Sequence, residues 1–247
     1  ALSSKSVYDL AEDSDNNLWI GTLGGGLDKL DIDRKTFTHY NQDNHTEIHS
    51  NYISSIFTDK DKNIYFCSDL GINVIDGTTK EISSLFNDNL KRDLLTSISF
   101  NQFFIDSRGL YWLATDKGLN IYNPIDHSLI FIHEKEGLPS EEVVSLIEDN
   151  NRNMWVGTRG GLAHIYCQFI NNKLDYYITN FDEMDGLPSN ICNLNAIHKD
   201  KEGMIYVGFT RGYVSFNPSN INPNEKIPQP KFTDLLISNQ TIKPNTK

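Results

Sequence analysis

Apolar and polar positions along this chain alternate in short bursts rather than in the 3.6-residue rhythm of an amphipathic helix. Apolar-rich runs at residues 7–11, 53–57 and 143–147 each end in a polar turn. A second apolar run follows each turn, at residues 18–22, 64–68, 110–115, 154–158 and 205–209. Runs this short, bounded by Asp, Asn and Gly, predict strands joined by tight turns. The second runs are apolar on both faces, as expected of a sheet layered between two others.

The pattern repeats. An Asp stands six residues before an aromatic ring five times: Asp13 before Trp19, Asp59 before Tyr65, Asp106 before Trp112, Asp149 before Trp155 and Asp200 before Tyr206. A Gly follows each ring (Gly26, Gly71, Gly118, Gly161, Gly212), and four residues later comes Leu30, Ile75, Tyr122, Ile165 or Phe216. The rings are 46, 47, 43 and 51 residues apart. A period in the forties built from short strands predicts an all-β chain, a β-propeller made of four-stranded antiparallel blades with five repeats present. Fourth strands are readable at residues 36–40, 81–85, 129–133 and 174–179, and the pattern is lost after Phe216-Asn217-Pro218. Residues 222–230 are Pro-rich and an alternating stretch resumes at 232–238, so residues 1–227 are read as blades and 228–247 as a linker with the first strand of another domain.

Two further regularities need a packing explanation. A small residue lies two positions after each ring (Gly21, Cys67, Ala114, Gly157, Gly208), on the same face of the strand, where it leaves a slot for a side chain of the neighbouring blade. The connections before two first strands share one tetrapeptide, Gly137-Leu138-Pro139-Ser140 and Gly186-Leu187-Pro188-Ser189.

Charge narrows the function. Asp and Glu number 33 against 22 Lys and Arg, a net charge of -11, which opposes binding to nucleic acid or anionic lipid. Cys67, Cys167 and Cys192 have neither paired spacing nor a CxxC, so no disulfide framework, zinc site or other cofactor is indicated. Asp13-x-Asp15-x-Asn17 has the opening of a calcium loop, but Leu18 stands where that loop needs Gly and Gly24 where it needs Glu. The chain enters a repeat almost at once, which reads as an excised piece of something longer.

The unit of apolar strand, Asp-x-x-x-x, Leu-Trp-Ile/Val-Gly-Thr and Gly-Leu, clearest at residues 12–27 and 148–162, resembles the two-component regulator propeller repeat. The resemblance covers nearly the whole chain. It implies the periplasmic sensor region of a hybrid two-component histidine kinase, seven blades per ring, an Ig-like domain opening near Pro230-Lys231-Phe232-Thr233-Asp234-Leu235, and an oligosaccharide or other small ligand. Membrane contact would come only through the parent protein's transmembrane helix. An incomplete ring would expose blade faces and favour a homodimer.

In a propeller, the loops between second and third strands emerge on one face, and a rigid scaffold makes such loops a recognition surface. The candidate ligand-binding residues there are Asp69, Asp116, Lys117, Arg159, Thr210 and Arg211. Arg159 and Arg211 suit a carboxylate or sulfate, and Asp69 and Asp116 suit sugar hydroxyls. No catalytic or metal residues are assigned, although Glu134, Glu136, Glu141 and Glu142 crowd one connection. A propeller lyase or glycosidase, and a plain protein-interaction scaffold, are the alternative readings.

Overall fold

The computed structural model describes residues 1–86, 95–170, 173–221, 235–237 and 240–242. Five antiparallel sheets follow one another along the chain. The first is β1 (Val7–Glu12), β2 (Leu18–Thr22), β3 (Gly26–Leu30) and β4 (Phe37–Tyr40), and the second β5 (Ile53–Thr58), β6 (Ile64–Ser68), β7 (Gly71–Ile75) and β8 (Ile82–Ser84). The third is β9 (Phe100–Ile105), β10 (Tyr111–Thr115), β11 (Gly118–Tyr122) and β12 (Leu129–Ile132), and the fourth β13 (Val143–Glu148), β14 (Met154–Thr158), β15 (Gly161–Ile170) and β16 (Lys173–Phe181). The fifth comprises β17 (Cys192–Lys199), β18 (Ile205–Phe209) and β19 (Gly212–Phe216) among the described residues. β20 (Leu235–Ile237) and β21 (Gln240–Ile242) pair only with each other among the described residues. The boundary expected near residue 227 lies outside the described residues.

Strands pair in chain order within each blade. The first strands of consecutive blades lie side by side, β1 on β5, β5 on β9, β9 on β13 and β13 on β17, which sets the sheets radially about one axis as the blades of a β-propeller. Asn195 of β17 reaches past its neighbour to donate from Nδ2 to the Ser54 carbonyl of β5. Each first strand is bulged at the same height, between Val7 and Asp9, Ile53 and Ser55, Phe100 and Gln102, Val143 and Ser145, and Cys192 and Ile197. The extra residue, or three extra residues in β17, twists the strand away from its partner as the blade turns about the axis.

The Asp of each turn clasps two things at once. Its Oδ1 accepts the backbone N–H four residues on and, in the first four blades, the one two residues on as well, as Asp59 does from Asp61 and Asn63. Its Oδ2 accepts from the ring six residues on: Trp19 Nε1 at 2.8 Å, Tyr65 Oη at 3.1 Å, Trp112 Nε1 at 2.9 Å, Trp155 Nε1 at 3.3 Å and Tyr206 Oη at 3.1 Å. Phe would occupy the same space but has no donor, which is why the ring is Trp or Tyr in every blade.

The small-residue slot joins the blades. A Cβ on Gly21 would sit 3.0 Å from Ile53 of the next blade, and one on Gly157 would sit 3.1 Å from Cys192 of the next. Cys67 clusters with Phe100, and Ala114 with Val143. In each case the first residue of the following blade plugs the slot. These four plugs are buried, and each contributes about 1.5–3 kcal/mol by the usual burial scale for a large apolar side chain, less for Cys192. At Gly208 the nearest atoms belong to Ala196 of its own blade, and Val7, the equivalent plug in the first blade, is 41% exposed. Tyr8 and Leu10 of the first blade and Tyr213 of the fifth are exposed as well.

Candidate functional site

Second-to-third-strand loops and inter-blade connections share one face, the rim; the Asp turns share the other. The rim loops are stiff. Thr22, Ser68, Thr115 and Thr158 each donate their hydroxyl back to the carbonyl of the Gly that opens the next strand, at 2.8, 3.0, 2.7 and 2.9 Å. In the first three blades a polar side chain on the third strand then catches the incoming connection. Asp28 accepts from Ser3 N at 2.7 Å, Asn73 from His49 N at 3.0 Å and Asn120 from Thr96 N at 3.2 Å.

Ala163 and Val214 replace that side chain in the last two blades, and their connections fold differently. Each makes a 3₁₀ turn, at Glu134–Glu136 or Glu183–Asp185, and ends it on a left-handed Gly137 or Gly186. Leu138 is buried beneath, and the Ser189 hydroxyl lies 2.9 Å from Thr210 Oγ1. This accounts for the shared Gly-Leu-Pro-Ser. It also accounts for most of the acidic crowd. Glu136 caps the N–H of His133 at 3.0 Å, Glu141 holds His133 Nδ1 at 2.8 Å, and Glu142 pairs with Arg159 at 3.1 Å.

The six candidate rim residues divide into two groups. Arg159 is committed internally, with Nε on Glu142 and Nη1 donating to the Cys192 carbonyl at 2.9 Å, so much of its fork is already used. Thr210 positions a connection. Asp69, Asp116, Lys117 and Arg211 are exposed, and among the described residues their side chains make no hydrogen bond or ion pair. They stand on separate blades, Asp116 and Lys117 on the same one.

The Asp-turn face holds open clefts to which no sequence motif pointed. Between the second and third blades lies a cleft of about 590 Å³ lined by Phe57, Lys60, Asp61, Tyr65 and Tyr111 among others. A smaller space of about 150 Å³ lies between the first and second. A third, about 250 Å³ and mostly apolar, forms where Phe169 and Leu174 of the long β15–β16 hairpin lean over Leu110, Ile121 and Ile130. None of the six rim candidates lines these spaces.

Titratable groups inside the blades serve structure. Burial pushes the Cys67 thiol well up, Cys167 up to about 11 and Cys192 up to about 12. His164 stacks on Trp155 at 4.0 Å and comes within 3.3 Å of Asp149. Burial alone would raise the Asp149 carboxyl, but the His164 ring and the N–H groups of Asn153 and Asn151 outweigh it and hold it low. No group of three or more His, Cys, Asp or Glu side chains is placed to hold a metal ion among the described residues.

The family model of the two component regulator propeller matches residues 1–24, which run through β1 and β2, and 137–160, which run from the tetrapeptide through β14. Across 245 residues, 96% of its length, the chain is 26% identical to histidine kinase P4 of Formosa agariphila, and it spans 17% of that protein. Its fold matches the extracellular domain assigned to the hybrid two component system BT3049 of B. thetaiotaomicron, with a TM-score of 0.73 and 24% identity over 96% of this chain and 32% of that one. It likewise matches the extracellular domain of BT4673 from the same organism, with a TM-score of 0.64 and 22% identity over 86% of this chain and 27% of that one.

Proposed function

We propose, from the premise that blades 1 and 4 are two-component regulator propeller repeats, that this chain is a non-catalytic ligand-sensing part of a hybrid two-component histidine kinase, placed in the periplasm. The observation that carries the reading is the similarity to histidine kinase P4, which runs the length of the blades rather than through one repeat. The fold gives it a physical basis. Blades locked by buried plugs and Asp clasps form a stiff body, and the rim presents Asp69, Asp116, Lys117 and Arg211 with no internal partner to compete for them among the described residues.

An oligosaccharide is the proposed signal. Carboxylates on the second and third blades accept from hydroxyls, while Lys117 and Arg211 meet an anionic group. Binding alone transmits nothing; the ligand must favour one of two arrangements of the blades relative to the chain beyond residue 227, and that segment carries the difference toward the parent's transmembrane helix. The carboxylates crowding residues 134–142 are spent on caps and ion pairs, which favours recognition over hydrolysis. Self-association through the exposed flanks of the first and fifth blades belongs to the same proposal. Calorimetry against a panel of neutral and acidic oligosaccharides tests it. Heat from at least one glycan, reduced in Asp69→Ala or Arg211→Ala, is expected; no heat from any, beside clear heat from a protein partner, overturns it.

A further inference from the structure

We propose that the cleft between the second and third blades, on the Asp-turn face, is a binding site for a single neutral sugar ring or a polyol of that size. The ligand class rests on the proposed sensing function; the location rests on how the gaps between blades are closed.

Every other described gap on this face is bridged or in close contact between its turns. Lys62 Nζ of the second blade reaches Asp15 Oδ1 of the first at 2.7 Å. Ser107 of the third blade donates from N and Oγ to Glu148 of the fourth at 2.9 and 2.7 Å. Gly203 of the fifth packs so close to Asn150 of the fourth that a Cβ would meet its Nδ2 at 2.3 Å. Between the turns at 59–63 and 106–110 no hydrogen bond or ion pair crosses among the described residues; the link across this gap is deeper, between the Tyr65 and Tyr111 hydroxyls.

One position contributes, together with the absence here of any contact like that of Gly203 on Asn150 or of Ser107 on Glu148. Three residues after each clasping Asp the backbone is left-handed: Asn16, Lys62, Gly109, Arg152 and Gly203. Where the second blade puts Lys62 across the preceding gap, the third blade has Gly109, and nothing lies within 4 Å of where its Cβ would be. The space left, about 590 Å³ against about 150 Å³ beside Lys62, falls in the range of small-ligand sites.

The lining suits a ring with an apolar face and a hydroxylated edge. Phe57, Tyr65 and Tyr111 supply aromatic wall. Both Asp59 oxygens are spent on the turn and on Tyr65, whereas the Asp61 carboxylate and Lys60 ammonium have no side-chain partner among the described residues. Burial pushes the Tyr111 hydroxyl upward against the lowering effect of its hydrogen bond with Tyr65, so the two hydroxyls form a neutral polar edge. Asp59, Asp61 and Asp106 against the single Lys60 disfavour an anionic ligand.

The test uses the whole chain with D-glucose, D-galactose, D-mannose, D-xylose and myo-inositol as probes, read by saturation-transfer NMR and calorimetry. At least one is expected to bind in the millimolar range typical of so small a contact, about -4 kcal/mol. Gly109→Lys copies the closure made by Lys62 and is expected to weaken binding at least about tenfold, while Gly109→Asn, short and tolerant of the left-handed angle, stays within about twofold. Matching circular dichroism and urea midpoints show that both variants fold. A probe that binds the Gly109→Lys variant as well as the parent sinks this site and spares the sensing function. Absence of binding by every probe while longer glycans give heat does the same; absence of heat from every glycan sinks both.

Discussion

Replacing Asp106 with Ala is expected to cost about 3–5 kcal/mol, the range for removing one partner of a buried ion pair. The Asp106 side chain is fully buried. Its Oδ1 accepts the N–H groups of Arg108 and Leu110 at 2.9 and 3.0 Å, and its Oδ2 accepts Arg108 Nε and Trp112 Nε1, both at 2.9 Å, with Arg108 Nη2 at 2.8 Å. The substitution strands a guanidinium that is 11% exposed, with Glu148 at 3.9 Å and the Cys167 carbonyl at 3.5 Å as its remaining company. Asp13→Ala removes the same turn and ring bonds near the surface with no cation behind them, and about 1–2 kcal/mol is expected. Asp106→Asn keeps one acceptor and falls between. Urea unfolding followed by far-ultraviolet circular dichroism and Trp fluorescence, with unchanged slopes, gives the differences. If Asp106→Ala costs no more than Asp13→Ala, burial and the Arg108 partnership do not set the strength of the clasp, and the reasoning from them is refuted.

Acid stability should report on Asp149. Its carboxyl is held below the unfolded value of about 3.9, so its contribution is complete above that pH and disappears as pH falls through the lower folded value; Asp149→Asn should flatten the acid limb of a stability–pH curve, and an unchanged limb would contradict this. Gly157→Ala would place a methyl 2.2 Å from Ser145 Oγ and 3.1 Å from Cys192, for an expected loss of about 1–3 kcal/mol in the same urea assay. A thiol reagent at mildly alkaline pH should leave Cys67 and Cys192 untouched in the native chain and modify all three cysteines in urea; prompt native labelling of either buried thiol would refute the packing assignment.

Much of the fold was legible because the blade joint uses one class of residue per job, small in the slot and aromatic in the ring position. The ring and the small residue two positions on were enough to foresee the slot that Ile53 and Cys192 fill. The aspartate was understood only in part. Its turn-forming role follows from local chemistry, but its bond to the ring spans the turn to reach the next strand; the available signal was that Phe never takes the ring position. The rim was harder still. Arg159 reads as an exposed fork until the chain folds Glu142 and the Cys192 carbonyl against it, contacts 17 and 33 residues away. The cleft beside Gly109 left almost no trace, since a glycine in a turn announces a backbone angle and says nothing about what the next blade fails to place there.

The joint between blades asks for one buried plug and one small residue to receive it, and nothing in it depends on rank within the series. Among the described residues Val7 is exposed and Gly208 faces Ala196 of its own blade, so both halves of the joint are present at the flanks. A scaffold with such terminals can be lengthened or shortened by whole units without inventing a new contact, and the number of blades becomes a quantity that duplication and deletion adjust while the loops diversify independently.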